Sequence, residues 1–506
     1  MKKRRRILIG LFMVILVLFL GGFLALKLLV SPDKVVKAEP LKELTSEEKV
    51  EDFRYLYNTL KDSFPFFEIE KDKTGFDWLA NKEKFEEQIK AAKNNKEFYD
   101  SLKKIVNMVQ NAHTGLLSPM YYENMSSGYN GVENYAWKQV LAQTGVKEKY
   151  NDWSKIISES RTVLPIKLKY VEGKYVLNED YEDVKKGDIL ESIENKNIDS
   201  YLKDNLDKYY VNYDDKRNKI YMNSSMLSVD EGKEYKVTFI TRNNLKVTKN
   251  LAPIKYEQNS KGQPASSYCE EKILKENKIA YLKVKAMSSD TLQSDKKKIL
   301  DFYGSIKDYP YLVIDIRGNG GGNDGYWKSN VTAPLIEEGK SSSIAMAYKG
   351  NYIKPFLRGR GIITDSIEKL PDKFSSKYIA SMERFLITST KVNPQNSVGF
   401  KGKIYLLVDD YVYSSSESFA AFCKGSGFAQ LVGTTTGGDG IGIDPCVVAL
   451  PNSGLVVRFS LDMGINSDGT VNEKTHTKSD IFSELTYEDF IKGEDTVLNK
   501  AVELCK

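Results

Sequence analysis

Histidine is almost missing from this chain: His113 and His476 are the two examples among 506 residues. Any chemistry that needs an imidazole therefore has few candidates. Cysteine is nearly as sparse, and Cys269, Cys423, Cys446 and Cys505 are scattered without metal-ligand spacing. A disulfide framework is unnecessary in so long a chain, so buried or free thiols are expected. The phosphate-binding pattern G-x-x-x-x-G-K-[ST] is absent, which removes the main nucleotide signature. Charge of one sign is also lacking. Lys2, Lys3, Arg4, Arg5 and Arg6 account for the whole net charge of +5, and the remainder is balanced. That balance implies no basic patch and hence no nucleic-acid partner. Neither a metal nor a cofactor is expected.

What is present begins with length. A chain of 506 residues is too long for one ordinary core, so two or three folded domains are expected. Its 41% hydrophobic content excludes disorder over most of that length. Residues 1–6 form a basic tail before Ile7 to Val30, an apolar run of membrane-spanning length interrupted by Lys27. Positive residues ahead of such a run stay cytoplasmic, which places the rest outside a cell membrane crossed once. A cleaved signal peptide is the competing reading, with Val36-Lys-Ala38 as the small-residue cleavage site. The run is longer than a usual signal core and favours an uncleaved anchor.

Residues 31–44 read as a linker. Thr45-Ser-Glu-Glu48 then forms a capping box ahead of a helical face made by Val50, Phe53, Tyr57 and Leu60. A helical unit is expected over 45–160. Within it Phe98, Leu102, Ile105 and Val109 share a face, and His113 lies at the end of that stretch. Residues 164–253 change to short strands and turns: Pro165–Tyr170, Gly173–Leu177, Val184–Leu190, Glu191–Ile198 and Tyr235–Ile240. Residues 268–506 alternate strands with helices, the pattern of an α/β domain.

Two segments of that last part carry the chemistry. Tyr311–Gly322 and Ile404–Phe422 are each a short apolar run, read as a buried parallel strand, followed by a turn and a helical pattern. Both turns then lie at the carboxyl edge of a sheet, where open α/β sheets bind ligands. One turn, Gly320-Gly-Gly322, offers backbone N–H groups. The other, Ser414-Ser-Ser416, offers hydroxyls. A serine nucleophile with an oxyanion hole needs both, and neutral histidine is the usual base for a serine hydroxyl. Ser414-Ser-Ser-Glu417 is equally a capping box, and on this segment alone capping and nucleophile both stay open. Gly320-Gly-Gly-Asn-Asp-Gly325 also satisfies G-x-G-x-x-G, but no acidic residue clearly ends a second strand of a compact βαβ unit.

These motifs resemble the serine peptidase family that contains the C-terminal processing (tail-specific) proteases and the tricorn core protease. Asp315–Gly322 is similar to the family's Asp-x-Arg-x-Asn-Gly-Gly-Gly loop, Ser414 stands three residues before Glu417, and Gly433-Thr-Thr-Thr-Gly-Gly438 is similar to its Gly-x-x-Thr-x-Gly stretch. The resemblance implies a crotonase-related α/β catalytic domain with an N-terminal helical segment and a PDZ-like β domain at 164–253, and the apolar run at 7–30 sets one transmembrane helix ahead of them. In the tail-specific branch a lysine base follows the last glycine stretch. Here that position is Asp439, which disfavours a lysine dyad. The tricorn-like branch has a histidine base, matched by His113-Thr114, and a glutamate, matched by Glu473 with Asp480 at the family's spacing. Asn111-Ala112 replaces the family's Asp-Gly, and His476 and Ser479 replace its glycine and proline after the glutamate. The resemblance implies catalytic Ser414, His113 and Glu473, an oxyanion hole from Ser415 with Gly320 or Gly321, and polypeptide substrates. A peptide-binding module that has lost its activity is the alternative. Oligomeric state is not legible in these motifs.

Overall fold

The computed structural model describes residues 36, 39–129, 131–157, 160–256 and 267–506. The expected anchor at 7–30 lies outside the described residues, as do most of the cleavage site and much of the linker. Among the described residues no helix is long and apolar enough to cross a membrane.

A six-stranded sheet organises the C-terminal half. Its order is Cys269–Lys275, Ile279–Val284, Tyr311–Asp315, Lys403–Val408, Gln430–Gly433 and Ile481–Phe482. The first pair is antiparallel and every later pair is parallel. Tyr311–Asp315 and Lys403–Val408 lie side by side, with Tyr311 opposite Lys403 and Asp315 opposite Leu407. Both are almost wholly buried, because helices cover a parallel sheet on its two faces and leave no solvated side for polar residues. The turns that follow them therefore emerge together at one sheet edge.

The N-terminal helices begin as the sequence predicts. Thr45 accepts from the Glu48 amide while Glu48 reaches back to Thr45, and Phe53, Tyr57 and Leu60 are buried. The division at residue 160 does not separate two cores, however. The helical segment packs into one apolar cluster with residues 345–382 and 446–471 of the C-terminal half. Gly115–Leu116 even pairs as a strand with Val457–Arg458. Trp137 and Trp153 donate their indole N–H groups to the carbonyls of Pro445 and Ser453, 2.7 and 3.0 Å away. The expected helical unit is thus half of a shared body.

Residues 164–253 do have a core of their own. Five antiparallel strands run in the order Lys246–Leu251, Tyr235–Ile240, Ile189–Ile193, Lys174–Leu177 and Leu168–Val171, beside the helix Ile198–Lys203. The strand expected at Val184–Leu190 starts late. Asp188 accepts from the Lys185 amide at 2.8 Å and closes a turn there, so pairing begins at Ile189.

Candidate active site

After Lys403–Val408 the chain turns sharply, and Ser414 sits at φ 57°, ψ −126° immediately before the helix Ser415–Ser426. A non-glycine residue at positive φ stores strain that its surroundings must hold in place. They do so through the backbone: Ser414 N–H donates to Gly438 O at 3.3 Å, Tyr413 N–H to Asn319 O at 3.3 Å, and Ser418 N–H to Ser414 O at 2.9 Å. A strained strand-to-helix turn of this kind presents a serine hydroxyl at a sheet edge.

The capping reading fails here. Ser414 makes no side-chain cap, and Glu417 does not reach back to it. The Glu417 carboxylate is buried and accepts from Asn472 Nδ2 and Thr477 Oγ1, each at 2.6 Å, while burial raises its pKa. Of the three serines, Ser415 donates to Asp324 at 2.8 Å and Ser416 is sealed inside. Only the Ser414 hydroxyl is left half-exposed and uncommitted among the described residues.

The glycine loop is pinned against this turn. Fully buried Asp315 holds the Arg317 guanidinium at 3.0 and 2.7 Å, and Asp495 holds its other side at 2.7 and 2.8 Å. Gly318 N–H donates to Asp409 at 3.0 Å. Gly321, at φ 104°, approaches so closely that a Cβ there would lie 2.7 to 2.8 Å from Tyr413 O, Ser414 Cβ and Ser415 N. Glycine is required at that point by both space and backbone conformation. The two candidate donors also separate. Gly321 N–H already donates to Asn319 Oδ1 at 2.9 Å, whereas the N–H groups of Gly320 and Ser415 have no partner among the described residues.

His113 is not on the helix that its neighbours suggested. That helix ends at Asn107, and Gln110, at φ 63°, redirects the chain while its side chain binds Leu206 O and Tyr209 O at 2.7 and 2.8 Å. The resulting turn brings the His113 ring to 4.7 Å from that of Tyr413, the residue before Ser414. His113 Nδ1 lies 2.9 Å from Asp439 Oδ2. The same oxygen accepts from Asn111 Nδ2 at 2.8 Å, Ser460 Oγ at 2.9 Å and Tyr413 OH at 3.1 Å. Burial works against the Asp439 charge, but His113, then Asn111 and Ser460, outweigh it and hold the carboxyl down at about 2.

Glu473 stands one step away. Its Oε1 accepts from Asn111 Nδ2 at 3.1 Å, and it makes no direct bond to His113. Burial first, then the charges of Asp439 and Glu70, push its pKa well above the ordinary carboxylate range. Asp480 does not reach the site: it accepts from Leu431 N–H at 2.9 Å and pairs with Lys424. The carboxylate that touches His113 is therefore Asp439. Sequence reasoning noticed that residue only as a missing lysine, and the signal that points to it is an acid at the position where the other branch keeps its base.

The sheet and this edge define an α/β serine hydrolase arrangement. Residues 278–483 match peptidase family S41, and this part of the chain is a serine-type peptidase domain of that family. The chain is similar in fold to mature CPAF complexed with lactacystin, at 12% identity and TM-score 0.58 over 91% of this chain and 98% of that one. It is likewise similar to mature CPAF, at 12% identity and TM-score 0.55 over 88% and 94%. A photosystem II D1 C-terminal processing protease aligns at 16% identity and TM-score 0.41 over 88% and 94%. No curated protein sequence matches the chain.

Proposed function

We propose that this protein hydrolyses peptide bonds with Ser414 as nucleophile and His113 as base. The observation that carries the reading is the uncommitted Ser414 hydroxyl on a strained turn, with the His113 and Asp439 pair packed against Tyr413. With Nδ1–H directed at the Asp439 carboxylate, Nε2 keeps its lone pair for the serine proton. Ser414 Oγ attacks the carbonyl carbon as His113 takes its proton, and the carbonyl oxygen becomes an oxyanion facing the N–H groups of Gly320 and Ser415. His113 then gives the proton to the departing amine as the C–N bond breaks. Water, deprotonated by His113, opens the acyl-serine and restores the free enzyme. Asp439 steadies the imidazolium that forms in each half.

Two parts of the reading extend outward. Residues 7–30 anchor the protein in the cell membrane with the catalytic part outside, an expectation supported by the basic residues that precede them. Residues 164–253 act as a PDZ-like unit that receives a chain end by strand addition. Supporting this, a cavity of about 750 Å³ lies between that unit and the sheet edge, with Tyr170, Asn212 and Tyr213 on one side and Thr436, Glu473 and His476 on the other.

A fluorophosphonate probe tests the chemistry. Wild-type protein should be labelled and should cleave peptides, Ser414→Ala should do neither, and Ser416→Ala should remain reactive. Labelling of Ser414→Ala would overturn the assignment. Amidating a peptide's C-terminus should raise its KM if carboxylate capture contributes, and equal kinetics for both forms would remove the chain-end role.

A further inference from the structure

The acid that meets His113 is itself held in place. Asn111, two positions earlier in the same turn and 3% exposed, joins it to Glu473: Nδ2 donates to Asp439 Oδ2 at 2.8 Å and to Glu473 Oε1 at 3.1 Å. Both N–H bonds of the amide are thereby used. On its other side Oδ1 accepts from Thr114 Oγ1 at 2.9 Å, and Ser460 Oγ lies 3.2 Å away. Ser460 has one proton and is nearer to Asp439, at 2.9 Å, so Thr114 is the donor that secures the amide oxygen. The Thr114 N–H also donates to Asn111 O at 3.0 Å, which ties the two residues together through the backbone.

These partners fix which way the amide points. Turned over, it would aim its oxygen at the Asp439 carboxylate, acceptor against acceptor, and leave both N–H groups facing hydroxyls. An aspartate at the same place has no proton to give when ionised and would set a second charge against Asp439. Asparagine bridges two acids, accepts a hydroxyl and adds no charge. That accounts for Asn111 where the resembled motif has aspartate, because the acid on this contact is already Asp439.

We infer that Asn111 is a positioning residue for the catalytic base, fixing the Asp439 carboxylate on His113 Nδ1 by tying it to Glu473. The inference deepens the proposed peptidase reading and rests on it. Asn111 acts through Asp439, on whose Oδ2 its amide and the imidazole meet. A carboxylate tethered in advance need not reorganise as His113 becomes cationic, and the orientation of Nε2 toward Ser414 is kept. The other titratable and charged groups that face His113 and its acid are Tyr413 beside Ser414, Glu473 from the helix Asn472–Thr475 and, behind them, Glu70 with Lys73 from the helix Phe67–Thr74 and Tyr210 from the β unit.

The test follows the two histidines directly, by nuclear magnetic resonance of the full chain with isotope-labelled histidine. Two ring signals are expected, and His476→Gln tells which is which. Asn111→Asp fills the same space and keeps the Thr114 bond, but it removes both donors and adds a charge. The His113 midpoint, and with it the acidic limb of kcat/KM, should therefore move up by about one pH unit. Asn111→Ala removes the tether without adding a charge, so kcat should fall about 10²-fold, as when a reacting group is displaced. KM should change by less than about threefold, since the lost interaction serves the transition state. An unmoved His113 midpoint in Asn111→Asp, or a loss in Asn111→Ala that falls on KM with kcat retained, would overturn the inference. The isosteric variant decides the matter if the smaller side chain unsettles the fold. Its titration is read without turnover and stands whether or not Ser414 reacts with the probe, so failure of the peptidase reading and failure of the positioning role remain distinguishable.

Discussion

The two turns that carry the chain's histidines differ in what their neighbours make of the same side chain. In turn 110–114 the His113 ring reaches a carboxylate and stays partly open, with its side chain 12% exposed. In turn 473–477 the His476 ring is also half-buried and borders the cavity, but its Nδ1 lies 2.7 Å from Thr436 O instead of a carboxylate, and desolvation lowers its pKa to about 4. A carbonyl accepts an N–H bond without adding a full charge, so it gives little support to an imidazolium. The two rings thus differ less in exposure than in the partner each one meets. His476 even occupies space beside the glycine stretch, since a Cβ on Gly438 would come within 2.5 Å of its ring.

The largest expected effects break the first turn. His113→Ala and Asp439→Asn should each lower kcat by about 10³ to 10⁴ with the fold retained, because either change removes the base or its orientation. His476→Gln should lose far less. Peptide hydrolysis with circular dichroism on the same samples decides this, and a larger loss in His476→Gln would reverse the roles of the two turns. Next comes the glycine loop. Gly321→Ala forces a methyl onto Ser414 and Ser415, so kcat should fall by about 10² to 10³, as when an oxyanion donor is displaced. Gly320→Ala has open space at its Cβ and should lose less. A steady-state comparison of the two variants checks the order.

His476 should also appear in stability against pH. Its folded pKa lies below the ordinary value of 6.5, so its contribution is complete above about pH 6.5 and is lost as pH falls toward about 4. The loss is on the order of 3 kcal/mol. Asp462 has the opposite sign. Burial raises it from 3.8 to about 7 while it accepts from Ile443 N–H at 2.9 Å, so its contribution is complete below about pH 4 and lost as pH rises through 7. Asp52 and Asp409, each raised by burial to about 6, act with Asp462. Over that window the two kinds of group oppose each other in the wild type. His476→Gln should therefore make stability fall more steeply with rising pH, and urea unfolding at several pH values measures it. Asp462→Asn, which keeps the amide bond through its carbonyl oxygen, should flatten that fall. A profile unchanged in both variants would mean that neither group changes its pKa on folding.

Much of the peptidase part was legible because its signals are local. Apolar runs before Gly320 and Ser414 specify buried strands, and the glycines specify where the backbone must approach closely. The Thr45 cap was legible for the same reason, since its two bonds span three residues. Capping by Ser414 was a local reading that failed, because the strain of its turn comes from Asn319 and Gly438, far away in the chain.

Sequence alone determined the strands before the serine turn and the glycine loop, those two turns, and the shortage of histidines. Tertiary structure alone decided three other matters: which acid meets His113, which loop N–H is left open, and that the N-terminal helices share a core with residues 446–471. The physical reason is separation along the chain. His113 and Asp439 stand 326 positions apart, and no periodicity or cap encodes a contact that exists only once two distant turns have been packed against the same tyrosine.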